Sequence, residues 1–143
     1  MSSDTALPKL LGGTVTGLVA FVTYCVGGVF LGWLLSSQVS EDVALIISFI
    51  GASVCACLAS LKVWECFVMF AVGYEESVAG YVISGATLLG GTTFSLGFFG
   101  PIYWTPSANQ GPILGFFTGP AGAALGSVVG YQYGQYKIKT RRL

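Results

Sequence analysis

The chain has 143 residues, 54% of them hydrophobic and 8% charged, with six basic and six acidic side chains, no net charge and a mean hydropathy of +0.78. A soluble domain is about 25% charged, so this composition excludes a water-covered surface over most of the chain, and the lack of any basic patch before the last residues argues against nucleic acid as a partner. There is no histidine, which removes the commonest general base, metal ligand and axial haem ligand.

Met1 to Pro8 is short and polar and lacks the basic start of a secretory signal, and the apolar run after it is too long for a signal core. No cleaved presequence is expected. The first apolar segment, residues 10–35, is long enough to cross a hydrocarbon core of roughly 30 Å with some tilt. Gly13 and Gly17, then Gly28 and Gly32, form small pairs four apart, and Trp33 marks the far interface.

Ser36 to Asp42 is a polar loop whose end, Ser40-Glu41-Asp42, has the hydroxyl and acids of a helix start. The second segment, residues 43–72, carries a small face every fourth residue: Ala44, Ser48, Ala52, Ala56 and Ser60. Residues four apart share a helix face. Lys62 and Glu65 interrupt it, with Trp64 between them. Two readings stay open: one long tilted helix, or an exit near Lys62 with the remainder at the interface. The charged pair is accordingly either snorkelling and part-hydrated or an ion pair at membrane depth facing a cavity or a partner.

After the break at Gly73 to Ser77 comes a third segment, residues 78–99, containing five glycines and the run Gly90-Gly91-Thr92-Thr93. That run is a weak spot, read either as packing flexibility or as a break of the kind transporters use. Gly100 to Gln110, with Pro101 and Pro106, is expected to be a loop anchored at the interface by Tyr103 and Trp104.

The fourth segment, residues 111–135, is the most distinctive. Gly111, Gly115, Gly119, Gly122, Gly126, Gly130 and Gly134 recur at steps of three or four, which leaves a bare backbone groove along one helix face. Glycine lowers helix stability in water by roughly 1 kcal/mol relative to alanine. In a bilayer the same residues let another helix approach closely, so this face is expected to be a packing interface. Pro120 falls inside the segment and tends to kink it. Tyr131, Tyr133 and Tyr136 mark the water boundary, and residues 136–143 form a short tail whose Lys137, Lys139, Arg141 and Arg142 suit contact with anionic lipid headgroups. With four spans both termini lie on one side. The side with the tail and Lys9 is then the cytoplasmic side, or its matrix or stromal equivalent, because the opposite loops hold no Lys or Arg.

Reactive constellations are missing from this pattern. Gly122 to Gly126 has no following Gly-Lys-Ser/Thr and no preceding strand, so it is no phosphate loop. Cys25, Cys55, Cys57 and Cys66 sit in apolar runs and read as small packing residues; Cys66, near a membrane edge, is the candidate for a redox or lipid-modified thiol. No catalytic residue, metal site or required cofactor is expected. A bound lipid or pigment would leave no signature in such residues. Four short spans with small-residue stripes resemble the general plan of the mitochondrial inner-membrane translocase group and of a related accessory subunit of respiratory complex I. The likeness is one of plan and carries over no residue and no function.

The expected architecture is therefore an all-α integral membrane protein, four transmembrane helices in a tightly packed glycine-zipper bundle with short loops. The expected role is that of a small non-catalytic subunit that packs among other integral membrane subunits and membrane lipids in a larger complex. The alternatives are a small oligomeric channel or transporter, in which Lys62, Glu65 and the Gly90 to Thr93 run would line a pore, and a tetraspan membrane-organising protein.

Overall fold

In the computed structural model the described residues are 6–70, 77–104 and 111–142, without the side chains of 6–9, 111 and 112. They form four helices: α1 (Ala6–Leu35), α2 (Glu41–Phe70), α3 (Ala79–Trp104) and α4 (Gly111–Arg141). No strand occurs among them. All four helices are long and apolar enough to cross a membrane, and the protein is a multi-pass membrane protein by that criterion. Large apolar side chains point outward all along them, from Leu18 and Phe21 on α1 to Val128 and Val129 on α4. In water that surface would be untenable; in lipid it is the solvent-facing side.

The helix boundaries depart most from expectation at the ends of α3 and α4. α2 is a single 30-residue helix through Lys62 and Glu65 to Phe70; residues 71 and 72 lie outside the described residues. α3 does not stop at residue 99 but continues through Pro101 to Trp104. Proline removes one intrahelical bond, and here it does so in the last turn, where few further bonds depend on it. α4 does not end at residue 135. It runs to Arg141, because lysine, arginine and glutamine are good helix formers and a basic last turn complements the negative end of the helix dipole. The Gly90 to Thr93 run is unbroken helix, with the Thr92 and Thr93 hydroxyls bonded to the carbonyls of Leu88 and Leu89 at 2.7 and 2.8 Å.

The helices pack antiparallel in sequence. Gly28 of α1 faces Phe49 of α2 and Gly32 faces Leu45 and Ser48; Trp64 of α2 lies on Gly80 of α3; Gly134 of α4 meets Val78 and Tyr81 while Gly115 meets Phe98. The start of α1, end of α2, start of α3 and end of α4 thus gather at one end of the molecule. Four helices closed into one bundle is not what forms. Among the described residues α1, α2 and α3 pack on one another, whereas α4 packs on α3 alone.

The centre of α1, α2 and α3 is built from small residues and hydroxyls. Ala44, Ser48, Ala52, Ala56 and Ser60 are all at most 1% exposed, so the small face of α2 is the one turned inward. Each buried serine and threonine hydroxyl is satisfied. Ser48 bonds the Ala44 carbonyl, Thr16 the Gly12 carbonyl at 2.7 Å, and Ser60 and Ser84 join α2 to α3 at 2.7 Å. Tyr24 links α1 to Ser95 of α3 at 3.0 Å. Back-bonding to a preceding carbonyl lets serine and threonine sit in helix interiors without a stranded donor.

Candidate functional site

The glycines of α4 define how α3 and α4 meet. Gly115, Gly119, Gly122, Gly126, Gly130 and Gly134 are all buried, while Phe116, Phe117, Leu125, Val128 and Val129 on the remaining faces are exposed. A Cβ on Gly126 would overlap the Gly85 carbonyl, and one on Gly130 would overlap the Tyr81 carbonyl. A Cβ on Gly115 would come within 2.8 Å of the Phe98 Cβ, and one on Gly134 within 2.9 Å of the Tyr81 ring. Backbone lies against backbone along this seam. Gly111 opens α4, but its surroundings lie outside the described residues.

Pairing α4 with α3 alone leaves an open groove between α1 and α4, with α3 as its floor. It has a volume of about 810 Å³. Its floor and sides are small, including Gly17, Ala20, Ala86, Gly90 and Ala123, and its walls are aromatic, with Phe21, Phe94 and Phe116. Gly17 is only partly buried, and a Cβ there would meet nothing within 4 Å. The groove lies beside the middle turns of α3 and the first half of α4, within the apolar stretches of the helices that line it. Sequence reasoning did not find it. The Gly13–Gly17 spacing gives the only hint, since the pair reads as a packing face but does not say that its outer member has no neighbour.

Lys62 and Glu65 form an ion pair at 3.2 Å, with side chains 81% and 30% exposed. Trp64 between them is buried on Gly80, whose neighbour Tyr81 faces Gly130 and stacks edge-on with Tyr133 at 5.6 Å between centroids. The pair therefore stands level with the tyrosines of α4, at the end of the molecule where the charged tail also emerges, and does not face the groove. Lys137, Lys139 and Arg141 stand on the last turns of α4 and Arg142 directly follows it, with Lys137 Nζ 5.9 Å from the centre of the Tyr133 ring. No group of three potential metal ligands occurs among the described residues, and the four cysteines are free thiols, of which Cys55 and Cys66 are exposed.

The Tyr81 hydroxyl is at odds with its surroundings. Tyr81 is 2% exposed and its hydroxyl has no hydrogen-bond partner among the described residues.

No protein-family model matches the sequence, and the searches of curated proteins and of solved structures found no match to it.

Proposed function

We propose that the chain is a small non-catalytic membrane subunit that packs into a larger assembly, with α3 and α4 locked together as a tight glycine zipper and the α1–α3–α4 groove taking a transmembrane helix of a neighbouring subunit. The observation that carries this reading is the groove itself. The small faces on α2 and α4 have partners within the chain, so they say nothing about neighbours. The groove has none, and its small, apolar lining at bilayer depth is the surface that membrane helices use for close association. A helix about 10–12 Å across needs such a lining to approach the floor at Gly90.

In this reading both termini face the cytoplasm, matrix or stroma, supported by the basic end of α4. The channel alternative has less support: the Gly90 to Thr93 run is continuous helix, and Lys62 is highly exposed and level with the interfacial tyrosines.

The test is extraction of native membranes with digitonin, followed by a native gel and mass spectrometry of the band. Co-migration with other membrane proteins in a band far larger than 14.9 kDa supports the subunit reading. A folded chain migrating alone, or as a symmetric oligomer, contradicts it.

A further inference from the structure

α4 is 31 residues long, roughly 46 Å at 1.5 Å per residue. The hydrocarbon core is about 30 Å thick, so about 20 residues suffice to cross it. Counted from Gly111, the crossing ends near Tyr131, where the exposed Tyr131, Tyr133 and Tyr136 begin. Chain length and the aromatic signal thus place the same boundary.

Beyond it the helix continues without a break for nearly three turns, to Arg141. Lys137 lies roughly 9 Å past Tyr131 and Arg141 roughly 15 Å past it, at and beyond the aqueous edge of a headgroup layer some 5–8 Å thick, and helical side chains lean toward the N-terminus, here back toward that layer. Lys137, Lys139 and Arg141 make no ion pair among the described residues. Glu65 on α2 is engaged by Lys62, and no acidic residue follows Glu76 in the sequence. Lys137 Nζ lies 5.9 Å from the centre of the Tyr133 ring, one turn nearer the membrane, so its charge is drawn back toward the headgroups. Lys137 and Arg141 are one turn apart on the same face, while Lys139 stands on the other side of the helix.

We propose that this end of α4 is a binding surface for the phosphate groups of anionic phospholipids in the adjoining leaflet. Charge complementarity selects the ligand, and continuity with a membrane-crossing helix selects its source, since the cations are delivered to the layer where lipid phosphates are concentrated. A rigid helix loses less freedom on binding than a loose tail would. The proposal rests on the membrane-spanning helices and not on the subunit reading, so either can fail without the other.

The experiment uses the full chain purified in a mild neutral detergent. Thermal unfolding is followed by tryptophan fluorescence while phosphatidylglycerol, phosphatidylcholine or inorganic phosphate is added, and lipid retention is read by native mass spectrometry. Phosphatidylglycerol is expected to raise the melting temperature and to be retained, with both effects lost in high salt. Each neutralisation, Lys137→Gln, Lys139→Gln or Arg141→Gln, is expected to weaken retention about fivefold, and the triple variant about a hundredfold. The Lys137→Arg/Lys139→Arg variant should behave as the native protein. Equal stabilisation by phosphatidylcholine, an undiminished response in the triple variant, or the same shift with inorganic phosphate overturns the proposal. If the triple variant does not fold, the three single variants decide: unchanged retention in all of them is equally fatal.

Discussion

Thr93 of α3 and Thr118 of α4 each donate a hydroxyl to the other's backbone carbonyl, at 2.9 Å in both directions. The two bonds tie α3 to α4 at the level where Gly97 and Gly122 bring the backbones together. Each hydroxyl also lies within bonding distance of the carbonyl four residues earlier in its own helix, so neither is stranded when its cross-helix partner is lost. Thr93→Val and Thr118→Val should therefore each destabilise by only about 0.5–1.5 kcal/mol, in keeping with interhelical hydrogen bonds in lipid. A double-mutant cycle on reversible unfolding in detergent should give nearly additive losses, because each hydroxyl bonds the other residue's backbone carbonyl, which the substitution leaves in place.

The glycine seam should be far less tolerant. Gly126→Ala and Gly130→Ala each place a methyl against a backbone carbonyl, which cannot rotate away, so the helices must separate. The expected loss is about 2–3 kcal/mol, the upper part of the range for overpacking. Leu125→Ala and Val128→Ala, on exposed faces, should cost well under half of that. Comparable losses at both sets of positions would show that the seam is not where α4 is held.

Tyr81→Phe should leave stability unchanged or raise it. The native hydroxyl is buried with no hydrogen-bond partner among the described residues, and an unsatisfied buried donor costs about 1–3 kcal/mol. Ser84→Ala, which removes the 2.7 Å bond to Ser60, should by contrast destabilise. A clear loss in Tyr81→Phe would reveal a partner for that hydroxyl.

Cys66 and Cys55 are both exposed but differ in depth by eleven residues of one helix, roughly 16 Å. Cys66 lies just past Trp64, level with the α4 tyrosines, so a membrane-impermeant maleimide should modify it from the side on which the C-terminus lies. Cys55 faces hydrocarbon and should stay unmodified until detergent is added. Rapid labelling of Cys55 in intact membranes would move the bilayer boundary away from Tyr131.

The four spans were legible because apolar runs of this length have one reading in lipid, and the face of each helix that carries small residues was legible from spacing alone. The ends of α3 and α4 were not. Pro101 looks like a stop until it falls in a last turn, and Tyr136 to Arg141 changes polarity without losing helix propensity, so a signal for the membrane edge was read as one for the helix edge. Nor does periodicity name a neighbour. The spacing of Gly115 to Gly134 says that something packs there, and only the fold shows that it is α3. The groove follows from that pairing. It is a property of which helices touch, and nothing in the sequence of Gly17 or Phe116 taken singly announces it.

Gly17 offers a way to separate folding from assembly. With nothing within 4 Å of a Cβ there, Gly17→Ala should be neutral or stabilise by up to about 1 kcal/mol through helix propensity. Gly17→Leu should still fold but, by filling the groove, should abolish co-migration with other subunits on a native gel. Retained co-migration of a folded Gly17→Leu chain would place the neighbour elsewhere.

The most direct test of the subunit reading places a photoreactive amino acid at Phe21 or Phe116, on the groove walls, and at Leu18 or Val128, on exposed faces outside it. After illumination of native membranes, the groove positions should yield protein adducts mapping to a transmembrane segment of another chain, and the control positions lipid adducts alone. Lipid adducts alone from a correctly folded chain at all four positions would contradict a partner helix in the groove.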